Sequence, residues 1–307
     1  MSDMTTDLNF GDCIGCGLCI LGCPAYEETG FDLLTARGRN KALQSGLGAG
    51  DMVESIWACT LCGYCDAICP SEVHNVKLVL HLRREIAPRL GEARSGQAPR
   101  PGESPRSGPA AAAPASRALV LGCTIRDRAA HLIPSIEEFL RRIGRPPGPA
   151  DAGCCGSLEV EAGRALPARV RAGVVADPVC LEQYDAEFLG LLAMQRLDLF
   201  ELKPPFYYYA PHRIVNRDHA RAYPLYDALR RRFGCDMNVD LNRLARSTSA
   251  GSIQGLSGRD ARDIPAAVAR LLTGSRAERI ITCSPADYLA FKNYSGRETL
   301  FITECLR

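Results

Sequence analysis

Apolar positions along the chain follow two different rhythms. Up to about residue 92 they recur at helical spacing. Val76, Val79, Leu80 and Ile86 fall on one stripe, with Ser71 placed to cap its start. The segments FDLLTARGRNKALQSGL (31–47) and DMVESIWACT (51–60) also suit helices better than strands. Beyond residue 117 short apolar runs alternate with helical patterns. RALVLGCT reads as a strand ending at Cys123, followed by a helix through Ile133, Ile136, Leu140 and Ile143 that Gly144 and the prolines after it stop. ARVRAGVVADPVC reads as a strand entering a turn at Asp177-Pro178, and LEQYDAEFLGLLAM as a helix. PFYYYAPHRIV opens a second strand–helix series. It includes a helical face of Ile264, Val268, Leu271 and Leu272 with Gly274 as C-cap, and closes with ERIITCSPADYLAF as strand, turn and helix.

Between the two rhythms, residues 93–117 (ARSGQAPRPGESPRSGPAAAAPASR) show no apolar period and are rich in proline, alanine, glycine and serine. They read as a poorly ordered linker. The expected organisation is a helical module at 1–92, a linker at 93–117 and an α/β module at 118–307. That last module divides into halves at 118–203 and 204–307.

Charge narrows the field only slightly. The 37 basic and 35 acidic residues nearly balance, which argues against a nucleic-acid partner. No apolar run approaches the roughly 20 residues of a membrane span, and MSDMTTDLNF does not read as a secretory signal. The expected location is the cytoplasm, with any membrane attachment made through a partner. Fifteen cysteines in such a setting point to metal rather than disulfides.

Eight of those fifteen cysteines form two copies of one string. The copies are Cys13-x2-Cys16-x2-Cys19-x3-Cys23-Pro24 and Cys59-x2-Cys62-x2-Cys65-x3-Cys69-Pro70. Three thiolates at this spacing wrap one face of an iron–sulfur cluster, and the fourth, beside proline, ligates the other cluster. Cluster one would take Cys13, Cys16, Cys19 and Cys69; cluster two would take Cys59, Cys62, Cys65 and Cys23. Structural zinc fits poorly, because its cysteine pairs are set further apart. The two expected cofactors are [4Fe-4S] clusters.

The α/β module carries Cys123, the run Gly153-Cys154-Cys155-Gly156, and Asp177-Pro178-Val179-Cys180. All are expected at strand ends or turns, and Gly156 permits a tight backbone beside two neighbouring thiols. This arrangement resembles the cysteine-rich domain, named for its Cys-Cys-Gly motif, of heterodisulfide reductase and of the anaerobic glycerol-3-phosphate dehydrogenase anchor subunit. There a strand-end cysteine, Cys-Cys-Gly and Cys-Pro-x-Cys form one site, repeated twice. The ARGR and IWACTLCGYCDAICPSEV segments resemble the helical ferredoxin subunit of heterodisulfide reductase, so the whole is similar to a fusion of the two.

That resemblance implies a helical dicluster ferredoxin followed by a pseudo-duplicated α/β domain. It further implies a third iron–sulfur cluster at Cys123, Cys154, Cys155, Asp177 and Cys180, with aspartate in place of one thiolate. The second half keeps the outline but replaces the ligands: His212 for the strand-end cysteine, Ser249-Ala250-Gly251 for Cys-Cys-Gly, and Ser284-Pro285-Ala286-Asp287 for Cys-Pro-x-Cys. Cys235, Cys283 and Cys305 read as core residues. Trp57 reads equally as a shield for cluster two and as an ordinary core tryptophan.

The function expected is electron relay within a larger oxidoreductase, with a flavoprotein or a membrane quinone-reactive subunit as partner. The chain reads more as a redox subunit than as a self-contained enzyme, and no catalytic residue stands out. The alternatives are disulfide or sulfur-substrate reduction at the third cluster, or a second module that serves only for docking.

Overall fold

The computed structural model describes residues 8–94, 119–148, 155–164, 170–252 and 263–307. The expected linker lies almost wholly outside them, as does Cys154.

The N-terminal region is helical. It comprises α1 (Pro24–Thr29), α2 (Ala36–Gln44), α3 (Val53–Ala58), α4 (Tyr64–Ala67) and α5 (Asn75–Arg94), joined by 3₁₀ turns. Thr35 caps α2 by accepting from the Gly38 N–H at 3.2 Å. On α5, Leu78, Val79, Leu82 and Ile86 form a buried stripe against Met52, Ile56 and Leu61. Each such side chain contributes about 1.5–3 kcal/mol on burial. The start of α5 corrects the expectation at Ser71. Glu72 takes a left-handed backbone (φ 51°), and the Asp66 carboxylate on α4 accepts from the Val76 N–H at 3.2 and 3.3 Å. The cap comes from tertiary structure, so a local sequence rule could not find it.

The α/β region contains two parallel sheets. The first, in order β1-β2-β3, joins Leu119–Val120, Val170–Val175 and Tyr184–Phe188. The second, in order β5-β4-β6-β7, joins Asp236–Met237, Phe206–Tyr209, Arg279–Thr282 and Glu298–Phe301. The paths β1-β2-β3 and β4-β6-β7 match strand for strand, which is the expected pseudo-duplication, with β5 added at one edge.

Two local expectations need correction. The first strand stops at Val120, and Cys123 instead opens helix α6 (Cys123–Arg128). Residues 181–194 are not one helix: Tyr184–Phe188 pair with β2, and only Leu189–Gln195 form helix α9. A short apolar run carries no decisive period, and here the open edge of β2 chose the strand.

The remaining helices surround these sheets, α8 lying against α5. They are α7 (Ile133–Arg142), α8 (Ser157–Glu161), α10 (His212–Arg217), α11 (His219–Phe233), α12 (Ile264–Leu272) and α13 (Pro285–Tyr294). In β4, Phe206 and Tyr208 face a core shared with the first half, while Tyr207 and Tyr209 face α12 and α13. Both faces of the strand are covered, as a parallel sheet requires. The shared core binds the halves together.

The helical region packs directly on the α/β region. Asn216 Nδ2 donates to Cys62 O at 3.1 Å, and Arg217 to Leu61 O at 3.1 Å. Tyr64 donates its hydroxyl to Asp240 at 2.6 Å and accepts from Asn242 at 3.0 Å. Arg246 pairs with Glu27.

Candidate iron–sulfur sites

The two cysteine strings fold alike because they share a backbone pattern. Gly15 and Gly17 (φ 75° and 83°) in the first string correspond to Leu61 and Gly63 (φ 54° and 78°) in the second. Leu61 is the exception, since a side chain disfavours that conformation. It is 1% exposed, and its carbonyl is held by Arg217.

The loops place the cysteines around two small cavities. Cys13, Cys16, Cys19 and Cys69 line one. Cys23, Cys59, Cys62 and Cys65 line the other, with Cys19 at the boundary of both. Each fourth cysteine thus lies with the opposite string. Pro24 starts α1 and turns the chain just after Cys23, while Asp66, three residues before Cys69, anchors the start of α5.

Burial differs between the sites. Cys16 is exposed and lines its cavity with exposed Ile14 (71%) and Leu18 (39%), whereas Cys62 and Cys65 are buried. Burial, reinforced by neighbouring thiols, pushes Cys62 up to about 12; burial pushes Cys19 up to about 11. Without metal these groups are protonated thiols crowded together, so metal binding must release protons. Among the described residues no three His, Cys, Asp or Glu side chains surround a point suited to a single metal ion. Thiolates spread around a cavity suit a multi-iron cluster better than the compact tetrahedron of zinc. The donor set therefore fits two iron–sulfur clusters.

A third cavity, of about 140 Å³, is lined by Cys123, Cys155, Asp177 and Cys180. The approach is close: a Cβ on Gly122 would lie 2.7 Å from Asp177 Cβ and 3.3 Å from Cys180 Sγ. Gly156 takes φ 68°, as expected for the turn after adjacent cysteines. Asp177 commits Oδ1 to the Val179 N–H at 3.1 Å, and burial raises its carboxyl pKa. Its part in shaping this turn is therefore visible apart from any ligand role. Ala250, Gly251 and Ala286 of the second half form the opposite wall.

At the corresponding place in the second half, hydrogen bonds connect His212, Ser284 and Asp287 through neighbouring residues. His212 contacts the Tyr209 hydroxyl at 3.0 Å and Ser247 Oγ at 3.2 Å. Thr248 and Ser284 both donate to Asp287, the latter at 2.6 Å. The Thr248 N–H donates to the Tyr209 hydroxyl at 3.2 Å, which joins the two groups. Burial and then Arg213 lower the His212 pKa to about 3, so the ring is neutral. Tyr209, Ser247 and Thr248 escaped sequence reasoning because buried hydroxyls have no spacing signature. Cys235, Cys283 and Cys305 are buried in the shared core as expected. Trp57 packs on the helical core with its ring 4.9 Å from the Arg83 guanidinium.

Residues 9–73 match the 4Fe-4S dicluster domain family. The relatives bear names of the same kind. An uncharacterized electron transport protein of Escherichia coli, YkgF, is 33% identical over 84 residues, covering 24% of this chain and 17% of the relative. A probable glycolate oxidase iron-sulfur subunit of Bacillus subtilis is 35% identical over 78 residues, 24% of this chain and 18% of the relative. A fumarate reductase iron-sulfur subunit of Haemophilus influenzae is 34% identical over 76 residues, 21% of this chain and 29% of the relative. The matched stretch spans under a third of each of these curated relatives. No solved structure matches significantly. Among the described residues no helix is long and apolar enough to cross a membrane.

Proposed function

We propose that this chain is the electron-transfer subunit of a multi-subunit oxidoreductase, relaying electrons between an external partner and its own cysteine-rich α/β region. The observation that carries this reading is the partition of eight cysteines around two adjacent cavities, one reaching the surface at Cys16 and one lying beneath α10. Cys13, Cys16, Cys19 and Cys69 would hold cluster one, and Cys59, Cys62, Cys65 and Cys23 cluster two. When bound, two [4Fe-4S] clusters supply one-electron storage and transfer. Exposed Ile14 and Leu18 give the cavity edge an apolar rim on which a partner, a flavoprotein or a quinone-reactive subunit, can exclude water. Asn216 and Arg217 fix the second string against the α/β region and keep the distance to it short.

The third cavity favours a second reading, in which Cys123, Cys154, Cys155, Asp177 and Cys180 hold a further cluster at which a disulfide or related sulfur compound is reduced. The resemblance to heterodisulfide reductase supports it. The replacement of ligands in the second half and at Asp177 weighs against it.

The test is the content of iron and acid-labile sulfide in anaerobically purified protein. About eight irons and two cubane signals in electron paramagnetic resonance support the relay. Extra iron that disappears in Cys154→Ala plus Cys155→Ala supports the third cluster. Zinc without sulfide overturns both.

A further inference from the structure

Arg83, in the middle of α5, is the largest fully buried side chain among the described residues, at 0% exposure. Its guanidinium donates to Ile56 O at 3.2 and 3.3 Å, to Trp57 O at 3.5 Å and to Cys59 O. Cys59 opens the second cysteine string. The same guanidinium donates to Glu161 O at 2.8 Å, at the end of α8 in the α/β region. One buried cation therefore holds both regions.

The contacts continue inward. The Glu161 carboxylate, 2% exposed, pairs with Arg213, 4% exposed. Arg213 donates to Gly251 O at 3.2 Å, and Gly251 lines the Cys123–Cys180 cavity. A connected path thus runs Cys59, Arg83, Glu161, Arg213, Gly251. The helices meet closely beside it. At Gly163 (φ 84°) a Cβ would lie 2.5 Å from the Arg83 carbonyl oxygen, so a side chain there would push the regions apart.

The charged side chains around this path and the second cavity are four arginines, Arg39, Arg83, Arg213 and Arg217, against Asp66, Glu161 and Glu182; buried Arg39 lines the second cavity as well. Burial disfavours adding an electron to an anionic group. A fixed cation that water does not screen offsets that penalty. Arginine suits the position because it keeps its proton and has donors enough for several carbonyls. Among the described residues the first string has no buried equivalent: Arg37 lines its cavity from a side chain 41% exposed, and Lys41 reaches Cys13 O at 2.9 Å from an exposed position, where salt and water weaken their fields.

We propose that Arg83 is a positioning residue that raises the reduction potential at the second cysteine string and, through Glu161 and Arg213, ties that string to the cavity of the α/β region. This rests on the electron-transfer reading above. Arg83 thereby keeps the more buried cluster reducible and makes its side of the helical region the contact for electron exchange within the chain.

The experiment is a potentiometric titration of the full chain, followed by electron paramagnetic resonance, on the parent protein, Arg83→Met and Arg83→Lys. At fixed potential, Arg83→Met is expected to lower the reduced-to-oxidised ratio of cluster two at least tenfold, a shift of about 59 mV, with cluster one unmoved. Arg83→Lys keeps the charge and restores most of the potential, but it cannot span the same carbonyls. Both variants are therefore expected to exchange the amide protons of 157–161 faster than the parent. An iron-replete Arg83→Met protein with no shift, or an equal shift in both clusters, overturns the electrostatic role. Unchanged exchange at 157–161 overturns the tie. Should Arg83→Met lose cluster two, Arg83→Gln, which keeps amide donors for the carbonyls without the charge, replaces it in the titration; a shift in cluster two alone supports the proposal, and no shift overturns it. A parent protein without two cubanes instead overturns the electron-transfer reading.

Discussion

His212 illustrates how the second half maintains its packing. The imidazole lies where the first half has Cys123, and Tyr209 and Ser247 contact its two nitrogens. Its folded pKa of about 3 lies below the unfolded value near 6.5. The unfolded chain therefore binds the extra proton first, and stability falls as pH drops from 6.5 towards 3. Asp287 works in the opposite sense: burial raises its pKa above 3.8, so its contribution is lost as pH rises through the folded value. Between pH 7 and 5.5 the histidine is expected to cost about 1 kcal/mol. Anaerobic thermal unfolding of His212→Gln across this interval should show a shallower loss than the parent, and equal slopes would contradict the neutral assignment. The candidate ligands at Cys123 and Cys180 were legible from spacing and resemblance. Arg83 was harder to see, since an arginine on the apolar face of α5 resembles an ordinary charged helix residue until its four acceptors are located.

The cysteine strings gain their function from the elements that flank them. The string itself sets only the loop, through positive φ at Gly15, Gly17 and Gly63. The turn at Pro24 and the anchoring of α5 by Asp66 carry the fourth cysteine of each string to the other. This crossed arrangement makes a pairwise prediction. Cys16→Ser and Cys69→Ser should abolish the same cubane signal, while Cys62→Ser and Cys23→Ser should abolish the other. Loss of one signal by both Cys16→Ser and Cys23→Ser would mean that each string binds its own cluster. Residues 181–194 show the limit of such reading: nothing in their local pattern distinguishes β3 plus α9 from a single helix. The exposed hydrogen-bonding edge of β2 decided it, and that edge does not exist until the sheet forms.

Across the whole molecule, the contact between the helical and α/β regions combines polar pairs with an apolar cluster of Cys62, Tyr64, Ile68 and Leu244. Burial of that apolar surface stabilises the contact by about 25 cal/mol per Å², and the polar pairs fix its register. The regions should therefore stay together when their covalent connection is cut. A protease site introduced between residues 100 and 110 and cleaved in the folded protein should yield fragments that co-elute on gel filtration. Separation at moderate salt would show that the contact needs the tether.

The sequence by itself determined the iron–sulfur chemistry, the helical setting of the two strings and the repeated strand–helix plan. These depend on short-range spacing and periodicity, which survive in a linear text. The spacing also named the partition of the eight thiols that the two cavities show; tertiary structure alone decided which string lies under the α/β region and how Arg83, Glu161 and Arg213 connect the two. Those contacts join residues up to 156 positions apart, most of them through backbone carbonyls that every residue possesses, so no pattern of side chains could announce them.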